Sequence, residues 1–99
     1  MHAFNYNKNQ INTLCKNHNV DELFIFGSAV SDRFSNESDV DVLVKFKPTD
    51  LFYYVENYLS LKENLEKVFQ REVDLVEAQT LKNPILIKII EQNNVQIYG

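Results

Sequence analysis

The chain has 99 residues, of which 44% are hydrophobic and 24% are charged, and its net charge is −4 at pH 7. This length predicts a single globular domain over residues 1–99, and the acidic excess argues against direct nucleic-acid binding. Cys15 is the one cysteine, which excludes an internal disulfide. The sequence contains no apolar run of signal-peptide or membrane-span length, so we expect a cytoplasmic protein.

Hydrophobic periodicity, taken in chain order, predicts alternating helices and strands after a loose segment over residues 1–6. The predicted helices cover 7–19, 28–32, 50–69 and 84–92, and the predicted strands cover 23–26, 39–46, 72–76 and 95–98. This order predicts an α/β fold (an α+β sandwich) in which helices flank a small mixed sheet.

Two predicted strands have distinct patterns. The run Leu23-Phe24-Ile25-Phe26 is apolar on both faces, which is typical of a central strand. The segment from Asp39 to Phe46 alternates, so that one face is apolar and the other begins with Asp39 and Asp41.

The longest predicted helix follows Pro48, with Thr49 or Asp50 as its N-cap. We expect its apolar stripe, and that of the last helix, to face the core. The predicted inward residues are Leu51, Tyr54, Val55, Tyr58, Leu61, Leu65, Val68 and Phe69, followed by Ile85, Leu86, Ile89 and Ile90.

The first candidate site feature is the turn Gly27-Ser28, directly after the apolar strand. Gly27 is the only glycine before the C-terminal residue, and a glycine permits a sharp turn or a close approach by another group. Ser28 supplies a hydroxyl and can cap the short helix that follows. Free amides at that helix start would complete a phosphate-binding turn.

The second feature is a set of three carboxylates. Asp39 and Asp41 share a strand face, and Asp74 points away from the apolar face of a later strand. Two unit charges 4 Å apart at an effective dielectric near 20 repel by about 4 kcal/mol, so converging aspartates would raise their pKa values or bind a cation. Oxygen ligands favour Mg²⁺, with Mn²⁺ possible, and two such ions can serve phosphoryl displacement.

Each feature alone also has an ordinary structural explanation. A Gly-Ser pair is typical of a capped turn, and a pair of aspartates is typical of a solvated strand face. The histidines His2 and His18 lack the neighbouring ligands that a zinc site needs, and His18 is expected at a helix end. The joint pattern of turn, ten-residue gap, paired aspartates and third aspartate is more specific than any of its parts.

That joint pattern resembles the polymerase-β-type nucleotidyltransferase superfamily. Gly27-Ser28 and Asp39-Val40-Asp41 match its signature, and Val73-Asp74-Leu75-Val76 resembles its third-carboxylate strand. The short length and the segment 81–99 resemble the minimal nucleotidyltransferase (MNT) group. The resemblance implies the polymerase-β-like fold, and it covers about residues 22–99.

The resemblance also implies residue roles. Gly27 and Ser28 would hold the nucleotide phosphates, Asp39 and Asp41 would bind the metals, and Asp74 would complete the metal site and act as the general base. Many members have an Arg-Gly pair after the turn. Here the position reads Ser31-Asp32 with Arg33 following, so Arg33 or Lys45 would have to supply a cation for the phosphates.

Members of the MNT group are commonly antitoxins paired with a HEPN-domain ribonuclease toxin. The implied function is a Mg²⁺-dependent transfer of AMP from ATP to a tyrosine hydroxyl of the toxin, within a hetero-oligomer. Phe52, Tyr53, Tyr54 and Tyr58 could form the docking face, although such aromatics at helical spacing are more often core residues. The alternatives are a non-catalytic antitoxin that masks its partner, and a transferase for a small molecule such as an aminoglycoside.

Overall fold

The computed structural model describes residues 6–30 and 39–99. These residues form three α-helices and one four-stranded sheet. In chain order they are α1 (Lys8–Asn17), β1 (Val20–Phe26), β2 (Val40–Phe46), α2 (Leu51–Phe69), β3 (Val73–Glu77), α3 (Pro84–Gln92) and β4 (Asn94–Tyr98). Short 3₁₀ helices follow β1 (Gly27–Val30) and β3 (Ala78–Thr80).

The sheet is mixed, and its strand order is β3-β2-β1-β4. β1 lies antiparallel to both β2 and β4, whereas β2 and β3 are parallel and are connected through α2. The apolar β1 is therefore a central strand, as its sequence predicts, and the small mixed sheet flanked by helices is confirmed.

Short polar side chains begin each α-helix. Asn7, Asp50 and Asn83 are the N-caps of α1, α2 and α3, and each accepts hydrogen bonds from backbone N–H groups of the first turn. Asp50, one of the two predicted caps, is confirmed by its 2.9 Å bond from the N–H of Phe52. His18 ends α1 as predicted, and its ring contacts the Leu14 carbonyl and the Ser60 hydroxyl.

The apolar side chains of the sheet pack in two layers, one on each face. The larger core joins α1 and α2 to the sheet through fully buried residues such as Ile11, Ile25, Val42 and Leu61. A smaller cluster on the opposite face joins α3 to the sheet through Phe26, Leu43 and Ile90. Strand alternation puts Asp41 and Asp74 on the α3 face, because their neighbours in β2 and β3 point into the larger core.

Several boundaries differ from the predictions. β1 begins at Val20 rather than 23, β2 begins at Val40 so that Asp39 precedes it, and β3 extends to Glu77. The turn after β1 is a 3₁₀ helix, and the last two residues predicted for that helix lie outside the described residues.

The prediction that all apolar residues of α2 and α3 face the core is wrong for some of them. Leu51 and Val55 are 85% and 65% exposed, and in α3 Ile85 and Ile89 are 71% and 45% exposed. Leu61, Leu65 and Phe69 are buried, so the larger core holds the C-terminal half of α2 while part of its N-terminal half faces solvent. Tyr54 and Tyr58 are partly buried against that core, whereas Phe52 and Tyr53 are exposed.

In the described part of the chain, none of the helices has the length and apolar character needed to cross a membrane.

Candidate active site

The candidate site is built around the sharp turn that ends β1. Gly27 follows Phe26 directly and has a φ of +72°, in the left-handed region that residues with a Cβ adopt only at a cost. A single 3₁₀ turn, Gly27–Val30, then begins. It offers backbone amides, but a helix this short contributes little of the macrodipole expected from the sequence.

Asp41 provides a second reason why this turn needs a glycine. A Cβ placed on Gly27 would collide with Oδ2 of Asp41 and would lie 3.2 Å from its Cγ. The carboxylate therefore occupies the space that a side chain at position 27 would fill. The turn and the second predicted aspartate, fourteen positions apart in the sequence, form one structural unit.

Asp74 joins this unit through the parallel pairing of β2 with β3. Asp41 is the register partner of Asp74, and both side chains leave the sheet on the same face. Burial, together with the negative charges of Asp74 and Asp39, raises the pKa of the Asp41 carboxyl above its ordinary value. Asp41 is half-buried, the other two aspartates are exposed, and both are near enough for their charges to act on it.

This donor set fits a divalent cation, although it is not a preformed cage. Among residues 6–30 and 39–99, no three acidic, histidine or cysteine side chains are close enough to constitute a metal cluster. The carboxylates nevertheless provide only oxygen donors, which suit Mg²⁺ or Mn²⁺. A cation would also offset the repulsion from Asp74 and Asp39, which adds to burial in raising the pKa of Asp41.

The sequence leaves two basic side chains as candidates for contact with the phosphates, Lys45 and Arg33. Lys45 lies near the other end of β2, four residues and so about 13 Å along the strand from Asp41. Its ammonium group forms a 3.2 Å ion pair with Glu22. That position argues against a phosphate contact. Arg33 and the pair Ser31-Asp32 lie outside the described residues.

Comparison with known proteins decides the family. The protein family described as "Polymerase beta, Nucleotidyltransferase" matches residues 9–99 of this chain. The chain belongs to the polymerase beta nucleotidyltransferase family. The prediction of a nucleotidyltransferase, made from the glycine turn and the aspartates, is thereby confirmed.

Individual proteins that are similar to this nucleotidyltransferase agree with the family assignment. Protein adenylyltransferase MntA of Thermococcus cleftensis is 33% identical over 73 residues, which cover 74% of this chain and 71% of the relative. A solved structure described as a minimal nucleotidyltransferase has a TM-score of 0.71 and 25% identity, and the match covers 89% of this chain and 86% of that one.

A solved complex of tri-AMPylated Shewanella oneidensis HEPN toxin with MNT antitoxin gives a TM-score of 0.62 at 21% identity. The match covers 93% of this chain and 69% of the chain in that complex. At this identity the likeness concerns the fold.

Two further features lie away from the three aspartates. A cavity of about 500 Å³ between α1 and α2 is lined mainly by polar residues, and none of the aspartates contributes to it. The second feature is Glu77, a buried carboxylate that the sequence pattern did not single out. It continues the inward alternation of Val73 and Leu75, and a charged residue at a core position is the signal that could have revealed it.

Proposed function

We propose that this nucleotidyltransferase transfers AMP from ATP to a tyrosine hydroxyl of a partner protein, a HEPN-type ribonuclease toxin, and so acts as its antitoxin. The observation that supports this most directly is the packing of Asp41 against Gly27 and beside Asp74. This packing supports the proposal because carboxylate oxygens, which suit a divalent cation, lie next to a turn with backbone amides. The adenylyltransferase relative and the AMPylated toxin of the solved complex favour AMP and a protein acceptor.

Each site residue of the chain has a separate proposed role. Gly27 and Ser28 hold the nucleotide phosphates through the turn, and Asp39, Asp41 and Asp74 hold the divalent cation, with two ions as the proposed number. The bound cation supplies positive charge to the phosphates and stabilises the developing charge. Asp74, which is exposed, can be reached by an acceptor hydroxyl and takes its proton.

The bond changes are those of a nucleotidyl transfer. The acceptor oxygen forms a bond to the α-phosphorus of ATP, the bond from that phosphorus to the bridging oxygen breaks, and pyrophosphate leaves. The hydroxyl proton goes to the Asp74 carboxylate. In this proposal the backbone amides of the turn after Gly27 orient the phosphates for the displacement.

The test uses ATP labelled at the α-phosphate, Mg²⁺ and the protein encoded by the neighbouring gene. We expect label on a tyrosine of that protein with the wild-type chain and no label with Asp39→Asn/Asp41→Asn. Asp21→Asn is the matched control, because Asp21 is an exposed aspartate on β1 and should leave transfer unchanged.

Transfer that persists in the double variant would refute the assigned roles. A stable complex without label would instead favour the non-catalytic antitoxin. Label on an aminoglycoside, but on no protein, would favour the small-molecule transferase.

A further inference from the structure

Glu77 is buried, and one of its oxygens lacks a partner. The residue is 6% exposed at the end of β3, and its side chain lies on the α2 face, opposite the aspartates. Oε2 accepts a 3.0 Å hydrogen bond from the N–H of Thr80. Oε1 is fully buried and has no hydrogen-bond partner in the part of the chain that the structure describes. A buried acceptor in this state is unusual and calls for a donor.

Glu77 is also one of the residues that line a cavity of about 400 Å³ between α2 and β3, together with Tyr54, Val55, Tyr58 and Thr80. The two tyrosine rings are stacked, with centroids 6.4 Å apart and planes 20° apart. Burial and then the charge of Glu77 raise the pKa of Tyr54. The cavity therefore combines aromatic walls with a single buried carboxylate.

Two groups in the cavity lining, Tyr58 and Glu77, favour a ligand that donates hydrogen bonds. Tyr58 already donates its hydroxyl hydrogen to the Leu75 carbonyl, so its oxygen can only accept from a newcomer. Glu77 Oε1 is likewise an acceptor. Guanidinium has five N–H donors and no acceptor, it stacks on aromatic rings, and it is more weakly hydrated than an ammonium group. An arginine side chain therefore fits this cavity better than a lysine.

The surface around the cavity indicates where that arginine comes from. Leu51, Val55 and Leu59 recur every four residues on α2 and are 85%, 65% and 57% exposed. This apolar stripe runs beside Tyr54 and Tyr58, and Val55 belongs to both the stripe and the cavity wall. Exposed apolar residues around a pocket that accepts a charged side chain are typical of a protein interface with a central anchor.

We infer that the cavity receives an arginine side chain of the partner protein, which pairs with Glu77 while the Leu51–Val55–Leu59 stripe packs against the apolar surface around that arginine. The inference rests on the proposed function only in taking the partner to be the acceptor protein. Glu77 and the three aspartates leave the sheet on opposite faces, so Glu77 and the aspartates can be replaced separately.

The test starts from the chain alone, so that it does not depend on transfer. The ¹⁵N-labelled protein is titrated with N-acetyl-arginine amide, N-acetyl-citrulline amide and N-acetyl-lysine amide, and amide shifts are followed by NMR. We expect saturable shifts around Glu77 and Thr80 with the arginine compound, and binding at least about tenfold weaker with citrulline, which lacks the charge. Absence of saturable shifts, or equal binding of lysine or citrulline, would overturn the inference.

Three variants make the test specific. Glu77→Gln keeps an oxygen for the Thr80 N–H but replaces the unpartnered acceptor, so arginine affinity should fall about tenfold or more with the melting temperature maintained. Val55→Trp fills the cavity mouth from an exposed position and should weaken binding even if Glu77→Gln fails to fold. Glu56→Gln, an exposed glutamate on the same helix, is the matched control and should bind as the wild type does.

The partner complex then separates the two proposals. Glu77→Gln should weaken binding of the acceptor protein about tenfold, whereas Asp39→Asn/Asp41→Asn should abolish transfer and leave binding intact. A complex unaffected by both Glu77→Gln and Val55→Trp would refute the docking site without affecting the proposed activity.

Discussion

The packing of Asp41 against Gly27 makes Gly27→Ala the sharpest probe of the site. An alanine at a φ of +72° costs about 1–2 kcal/mol of backbone energy, and the reduced freedom of its unfolded chain offsets about 0.4–1 kcal/mol of that. The backbone alone should therefore lower the free energy of unfolding by about 1 kcal/mol. The new Cβ also collides with the Asp41 carboxylate, which must rotate away at a further cost of about 0.5–1.5 kcal/mol.

The displaced carboxylate should impair transfer more than stability. A misplacement of about 1 Å in a reacting arrangement can cost roughly 10²-fold in rate, so we expect a loss of that order in labelling by α-phosphate-labelled ATP. Folding is checked by urea denaturation of the same preparation. A chain that unfolds as predicted but transfers AMP at the wild-type rate would show that the Asp41 position is not critical.

A double-mutant cycle separates the two contributions to stability. In an Asp41→Ala background the carboxylate is gone, so Gly27→Ala should cost only the backbone contribution of about 1 kcal/mol. The difference between the two backgrounds measures the collision itself. An equal cost in both backgrounds would contradict the contact between position 27 and Asp41.

Three further predictions address other parts of the molecule. Because the folded pKa of Asp41 is raised, its carboxyl adds stability below the ordinary aspartate pKa and loses that contribution as the pH rises through the raised value. Asp41→Asn should make the melting temperature depend less on pH over this range. It should also raise the melting temperature at pH 7 while abolishing transfer. Gln70 is the C-cap of α2 and has a φ of 55°. Gln70→Gly should raise the free energy of unfolding, measured in urea, by about 0.5–1 kcal/mol, and an unchanged value would contradict this. Leu61→Ala, at a fully buried position, should cost about 2–5 kcal/mol, and a smaller loss would indicate local collapse.

The elements of this fold were predictable because their signals are local. The apolar run of β1, the alternation of β2 and the cap at Asp50 each depend on neighbouring residues, and all are confirmed. The family followed from the spacing between Gly27 and Asp41. The sequence could not show that Asp41 fills the space beside Gly27, because that contact depends on the antiparallel pairing of Phe26 with Asp41.

The errors have a common physical origin. Periodicity identifies apolar stripes, but the same hydrophobic effect drives burial in a core and burial against a partner. Leu51 and Val55 carry the core signal although they are exposed. Glu77 carries two conflicting signals, because its charge indicates solvent while its alternation with Val73 and Leu75 indicates the core, where it is buried.

The position of β3 links the two proposed sites. It is an edge strand of the described sheet, with Asp74 on one face and Glu77 on the other. They are three positions apart, which is about 10 Å along a strand. A partner that lies across this edge can bring a hydroxyl to Asp74 and an arginine to Glu77 at the same time. The acceptor tyrosine found by peptide mapping should therefore lie within a short span of the arginine whose replacement weakens the complex, and a large separation on the partner surface would show that the two contacts cannot form together.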